Sequence, residues 1–380
     1  MIQFNFVFDK LDANGPVANL VNNQENWQQH PFVVTPRLIT YCLMFNFPIK
    51  FFDTQSFPES SWYPVAFGTY KFDIDYFSLI PESTKNLIRN NNLRVLFLYH
   101  EGDNPQKITQ DLRLKCAQNN LPQTWKFVSA NTAAEICFDD HELFYLYANR
   151  RQQALPAHDK KRPFDFTALN RVHKWWRATV LVDLLQQGLL SNSLWSYNGI
   201  GNDDNFDENP LQLSTIDNLE ESIIEFVNFV PYTCDELNSE QQNQHSHLVN
   251  QHFTQSYINL VFETFFDVDQ SGGSFLTEKT FKPIKHAQPF IIIGAAGSLQ
   301  RLRELGYRTF DSVIDPSYDQ ILDNTARWHK IRSLIQSLYH SDLHKIYLAC
   351  RDDIIHNQKH LLENKYNRLE SLYKTLHEQS

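Results

Sequence analysis

Apolar residues in this chain gather in two kinds of run, and each kind predicts its own element. Near-continuous runs occur in WYPVAFGTYKF (62–72), NLRVLFLYH (92–100), WKFVSAN (125–131) and YINLVFETFF (257–266). Such runs predict strands buried on both faces of a parallel sheet. QKITQDLRLKCAQNN (106–120) and HKWWRATVLVDLLQQGLL (173–190) instead repeat apolar positions every three or four residues, the period of an amphipathic helix. Gly188 reads as the end signal of the second of these. HELFYLYANRR (141–151) is a further strand or the start of a helix, and FDFTALNR (164–171) a short strand and turn. Strand, helix, strand in this order predicts an α/β fold.

A polar, basic stretch with two prolines, RRQQALPAHDKKRP (150–163), is the expected linker. It divides an N-terminal domain, residues 1–155, from a second domain, residues 156–345, leaving 346–380 as a C-terminal segment. That segment is expected to be helical from about Arg351, where Leu362, Tyr366, Leu369, Tyr373 and Leu376 step by four and three. Fewer than three heptads favour a helix packed on its own protein over a coiled coil. GIGNDDNFDENPLQLST (199–215) is polar and acidic and reads as a loop. No internal repeat is present.

Composition narrows the class. The chain has 380 residues, 42% of them hydrophobic and 14% aromatic, enough for two cored domains. A net charge of −10 gives no general attraction to nucleic acid or anionic lipid. The five cysteines, Cys42, Cys116, Cys137, Cys234 and Cys350, are scattered and form no CxxC pair, so reduced thiols are expected. No apolar run approaches the roughly 18 residues of a membrane span, and no secretory signal opens the chain. The expected compartment is the cytoplasm.

The richest stretch is SFLTEKTFKPIKHAQPFIIIGAAGSLQRLRELGY (274–307). Thr277 is an N-cap candidate, Glu278 suits a first helical turn, and Lys279 and Lys282 share one helix face. Solvated lysines are one reading of that face, and a cation pair for a diphosphate is the other. The apolar run 289–293 then opens into Gly294-Ala295-Ala296-Gly297 and a second helix. A helix N-terminus after a strand favours phosphate. HSHLVNQH carries His245, His247 and His252, which read as a polar helix or loop before a zinc site. His100, His141 and His173 show no metal spacing, and no DxD-like acid pair follows a strand convincingly, NDDNFDE (202–208) lying in a polar loop. No metal is expected. Trp175 and Trp176 read as core before sugar-stacking platforms.

YINLVFETFFDVDQSGGSFLTEKTFKPI (257–284) resembles the donor-binding segment of the α1,3/4-fucosyltransferases, glycosyltransferases of the two-domain GT-B type. Asn259 to Thr264 stand where that family has a strand reading roughly N-L-x-F-E-N, and Phe275 to Lys279 match its Y-[VI]-T-E-K helix start. GAAGSLQRLRELGYRTF (294–310) is also similar to uncharacterised glycosyltransferase-like proteins of bacteria and viruses. The resemblance spans about residues 160–345. It implies two Rossmann-like domains facing a cleft, and inverting, metal-independent transfer from a nucleotide sugar to a glycan or other hydroxyl acceptor. A GDP-sugar is the donor it favours, and no cofactor is implied. Donor-binding residues by this resemblance are Asn170, Arg177, Glu263, Phe275, Thr277, Glu278, Lys279 and Lys282, with Arg171 a nearby cation. Glu101, after the strand at 92–100, stands for the general base. Phe275 replaces the family's Tyr and Thr264 its Asn, departures that touch the donor sugar more than the fold. Transfer onto modified DNA bases and a non-catalytic nucleotide-sugar binder are the rival readings.

Overall fold

A computed structural model describes residues 2–12, 15–17, 33–34, 37–151, 153–197, 209–211, 213, 216, 218–232, 234 and 250–378. Its contacts divide the chain into two units. The first comprises residues 1–147, 270–272 and 364–380, and the second residues 148–269 and 273–363.

In the first unit the strands are β1 (Phe4–Phe8), β2 (Lys10–Asp12), β3 (Gly15–Val17), β4 (Val33–Val34), β5 (Ile49–Asp53), β6 (Trp62–Phe67), β7 (Arg94–Tyr99), β8 (Lys126–Ser129) and β9 (Ile136–Cys137). The main sheet runs β5-β1-β6-β7-β8-β9, all parallel, with β4 joining β6 antiparallel. Helices α1 (Arg37–Met44), α2 (Glu82–Arg89), α3 (Pro105–Gln118) and α4 (Asp140–Ala148) accompany it. Side chains alternate across the pleat. Tyr63, Val65, Phe67, Val95, Phe97 and Tyr99 enter one core, while Phe4, Phe6, Trp62, Ala66, Leu96 and Leu98 enter the other. Two covered faces explain why β6 and β7 are apolar throughout rather than alternating.

The second unit holds a four-stranded parallel sheet in the order β11-β10-β12-β13, with β10 at Phe164–Asn170, β11 at Leu194–Tyr197, β12 at Ser256–Phe262 and β13 at Phe290–Ile293. Its helices are α5 (Trp175–Gln186), α6 (Leu219–Phe229), α7 (Asn250–Gln255), α8 (Val268–Ser271, whose last residues fall to the first unit), α9 (Glu278–Lys285), α10 (Ser298–Glu304), α11 (Asn324–Tyr339), α12 (Leu343–Ala349) and α13 (Arg351–Glu363). The chain is thus mixed α/β with two parallel sheets.

One open alternative is settled and two local expectations change. Residues 141–151 are helical through Ala148, so the ambiguous run is α4. The basic stretch around 150–163 belongs to the second unit, where Arg162 donates to the carbonyls of Phe253 and Ser256 at 2.7 and 2.6 Å. The C-terminal segment is two helices, α13 and then α14 (Lys365–Glu378). Leu369, Leu372 and Leu376 of α14 are buried in the first unit's core with Phe4 and Phe6, a better sink for those leucines than a partner helix. Gly188 follows the end of α5 with φ +68°, the left-handed conformation that glycine adopts without penalty. Among the described residues no helix is long and apolar enough to cross a membrane.

Candidate functional site

Open α/β sheets bind ligands beyond the C-terminal ends of their strands. In the second unit those ends are Asn170 of β10, Glu263 after β12 and Gly294 after β13. Glu263 is buried and its carboxylate is fully engaged. It accepts from the amide of Thr277 at 3.0 Å, from the hydroxyls of Thr277 and Thr280 at 2.6 Å each, and from the amide of Thr264 at 3.2 Å. With four donors satisfied, Glu263 fixes the start of α9 and offers no free lone pair to a ribose or sugar. Gly294 presses against it: a Cβ there would lie 3.0 Å from the Glu263 Cβ.

Thr277 is the N-cap, its hydroxyl accepting from the Lys279 amide. The Lys279 ammonium donates to the hydroxyls of Thr277 and Thr264 at 3.1 and 3.3 Å and lies 3.5 Å from a carboxylate oxygen of Glu278. Lys282, one turn on and only partly exposed, feels both Lys279 and Arg171. Burial draws its ammonium below the ordinary lysine value, Glu278 opposes that shift, and the two neighbouring cations add to it. Arg171, Lys279 and Lys282, all sequence candidates, therefore converge at one sheet edge.

Asn170 is 3% exposed, and neither its Oδ1 nor its Nδ2 has a hydrogen-bond partner among the described residues. A buried amide left this way costs about 1–3 kcal/mol unless a water or a ligand group meets it. Arg177, expected at the diphosphate, bonds the chain's own backbone. It is buried, and its Nη atoms donate to the carbonyls of Val172 at 3.1 Å and Glu263 at 2.6 Å. It staples the β10 loop to the end of β12. Phe275, also buried, sits against Phe265 as core. Trp176 stacks on Phe262 and is likewise core.

The turn at 294–297 does not await a phosphate. Asp319 takes the N-terminal amides of α10: its Oδ1 accepts from Leu299 and its Oδ2 from Gln300, both at 2.9 Å, and its carbonyl accepts from Gly297 at 2.9 Å. The anion expected at that helix start is supplied by the chain itself. Gly297, the α10 cap at φ +84°, needs the glycine for its left-handed backbone.

In the first unit Glu101 is partly exposed on the loop after β7, and its carboxylate makes no hydrogen bond to the described residues. Beside it is a pair that sequence spacing does not reveal. His100 Nδ1 is 2.7 Å from Asp140 Oδ2, and the same oxygen accepts from the Tyr41 hydroxyl at 3.1 Å. His141 Nε2 contacts the His100 carbonyl at 2.7 Å. Burial alone would raise the Asp140 carboxyl, but His100, then His141 and Arg37, outweigh it and hold it well below the usual carboxylate range. In the sequence these histidines stand out only for a metal spacing they lack, and nothing singles out Asp140.

His245, His247 and the acidic stretch 202–208 lie outside the described residues; His252 is buried, and its carbonyl accepts from Ser256 at 2.6 Å. Among the described residues no group of three or more His, Cys, Asp or Glu could hold a metal ion. Comparison with protein-family models and with curated proteins finds no match for the chain.

Proposed function

We propose that the chain is a glycosyltransferase that takes a sugar from a nucleotide-sugar donor, a GDP-sugar by the resemblance, and moves it to a hydroxyl acceptor. The observation that carries the reading is the convergence of Arg171, Lys279 and Lys282 at the C-terminal edge of a parallel sheet, with the unpartnered amide of Asn170 at the same edge. Glu278 supplies one negative charge beside three crowded, partly desolvated cations, and a diphosphate would supply the rest. In the transfer, the bond between the anomeric carbon and the phosphate oxygen breaks with its electron pair going to the diphosphate. The acceptor oxygen bonds the anomeric carbon and loses its proton to a base. The lysines and Arg171 stabilise the charge that builds on the leaving group, a task that needs no metal. On this reading Glu278, at the first turn of α9, accepts from sugar hydroxyls.

The test is thermal shift of the full chain against GDP-, UDP-, CMP- and dTDP-sugars. A donor at a hundred times its Kd adds about 2.7 kcal/mol to the folded state. Stabilisation by one nucleotide class, with release of its diphosphate when acceptors are supplied, supports the reading. Stabilisation without turnover on any acceptor would favour a non-catalytic binder.

A further inference from the structure

We infer that Phe265 is the platform on which the nucleobase of the donor stacks. This rests on the donor reading above and lies wholly within the second unit. Two loops leave the C-terminal edge of its sheet, residues 171–174 after β10 and residues 263–267 after β12. Arg177 joins them, because its one guanidinium donates to the carbonyls of Val172 and Glu263. Lys174 joins them a second time, its ammonium standing 5.4 Å from the centre of the Phe265 ring. Lys279 reaches the second loop from α9 by donating to the Thr264 hydroxyl, one residue before that ring. The lip so formed is mixed in character. Arg171, Lys174 and Lys279 place cations on it, and Val172, 47% exposed, places apolar surface among them. Phe265 remains partly exposed, whereas Phe266 beside it in the chain and Phe275, against which its ring rests, are buried. Phe266 and Phe275 are core, and Phe265 is the aromatic side chain of this loop that a ligand can reach as the structure stands. A ligand that covers such a lip must carry a flat apolar face and a strong negative charge together. A nucleoside diphosphate has both, while a bare phosphate or a sugar phosphate has only the charge. Every base has a π-face, so stacking here sets where the base lies without choosing which base it is.

The experiment titrates GDP and inorganic pyrophosphate into the native chain, Phe265→Ala, Phe265→Leu and Phe265→Trp, with melting temperature as the check on folding. The expected result is a roughly 5- to 150-fold loss of GDP affinity in Phe265→Ala, the range for removing one base–aromatic stack, with pyrophosphate affinity within about twofold of native. Phe265→Leu keeps an apolar side chain against Phe275 and loses the flat face, so it also weakens GDP and spares pyrophosphate. In Phe265→Trp, GDP quenches the indole fluorescence beyond the native protein's own response, and pyrophosphate does not. Native GDP affinity in a folded Phe265→Leu variant overturns the assignment, as does an equal loss for GDP and pyrophosphate or the absence of a GDP-specific quench. Pyrophosphate held as tightly as GDP by the native chain also overturns it, while leaving the diphosphate site in place. A native chain that binds neither overturns the donor reading, and this assignment with it.

Discussion

The hydroxyl and the amide of Thr277 both donate to the carboxylate of Glu263, at 2.6 and 3.0 Å, so one buried acid sets where α9 begins. Everything the α9 lysines do depends on that anchor. Replacing Glu263 by Gln keeps the size but puts an amide donor where donors already converge. The expected cost is about 1–3 kcal/mol, the range for leaving a buried polar group unsatisfied. Chemical denaturation should show a lowered midpoint with an unchanged slope. An unaltered midpoint would mean that the network does not hold the helix.

Lys282 is expected to trade stability for binding. Its ammonium is disfavoured by burial and by Lys279 and Arg171, so the folded state holds its proton less well than the unfolded chain. A lysine shifted down in this way costs stability while it is charged, and the cost fades as pH rises past its folded value. Lys282→Met should therefore melt higher than the native protein at neutral pH and bind GDP more weakly. Higher melting with unchanged GDP affinity would take Lys282 out of the site.

Asp319→Asn separates the helix cap from the anion site. The loss of capping at Leu299 and Gln300 should cost about 0.5–2 kcal/mol, seen as a lower melting temperature. GDP affinity should stay unchanged, because α10 already carries its own anion. A clear gain of affinity in the folded variant, with phosphate taking up the amides that Asp319 leaves, would restore the 294–297 turn as a phosphate site.

Much of this architecture is legible in the sequence. Buried strands such as β7 and β12 announce themselves because both faces need apolar side chains, and α5 by its period. Thr277, Glu278 and Lys279 are contiguous, so their cap and first-turn chemistry can be read directly. The partners are not. Glu263 lies 14 residues from Thr277 and Asp319 lies 20 from Leu299, and no local rule ties an acid to an amide that far along the chain. Arg177 shows the same limit. Its position suits a phosphate by sequence, yet only the fold reveals that two backbone carbonyls accept from its Nη atoms. β1, FNFVF, is too short to stand out from the aromatic runs around it.

Lys285 gives a pH test in the same unit. Its ammonium donates to the Asn149 carbonyl at 2.8 Å, and burial lowers its pKa to about 8. Between that value and about 10.4, where an unfolded lysine titrates, the unfolded chain binds more protons, so stability attributable to this group rises with pH. Lys285→Met should melt higher than the native protein at pH 7, and the gain should shrink as pH climbs through 8 to 10. A gain independent of pH would mean that packing, not charge burial, is the cause.

The most direct measurement is calorimetric titration of GDP into the native chain and into Lys279→Ala, repeated at two salt concentrations. Lys279 contributes a charge-assisted contact at the start of α9, worth about 1.5–3 kcal/mol, or roughly ten- to a hundredfold in affinity. The account predicts native binding that weakens with salt, and a loss of that size in a variant that still folds. Native binding with no loss in Lys279→Ala would contradict the placement of the diphosphate, and no binding of GDP or of any other nucleoside diphosphate would contradict the account itself.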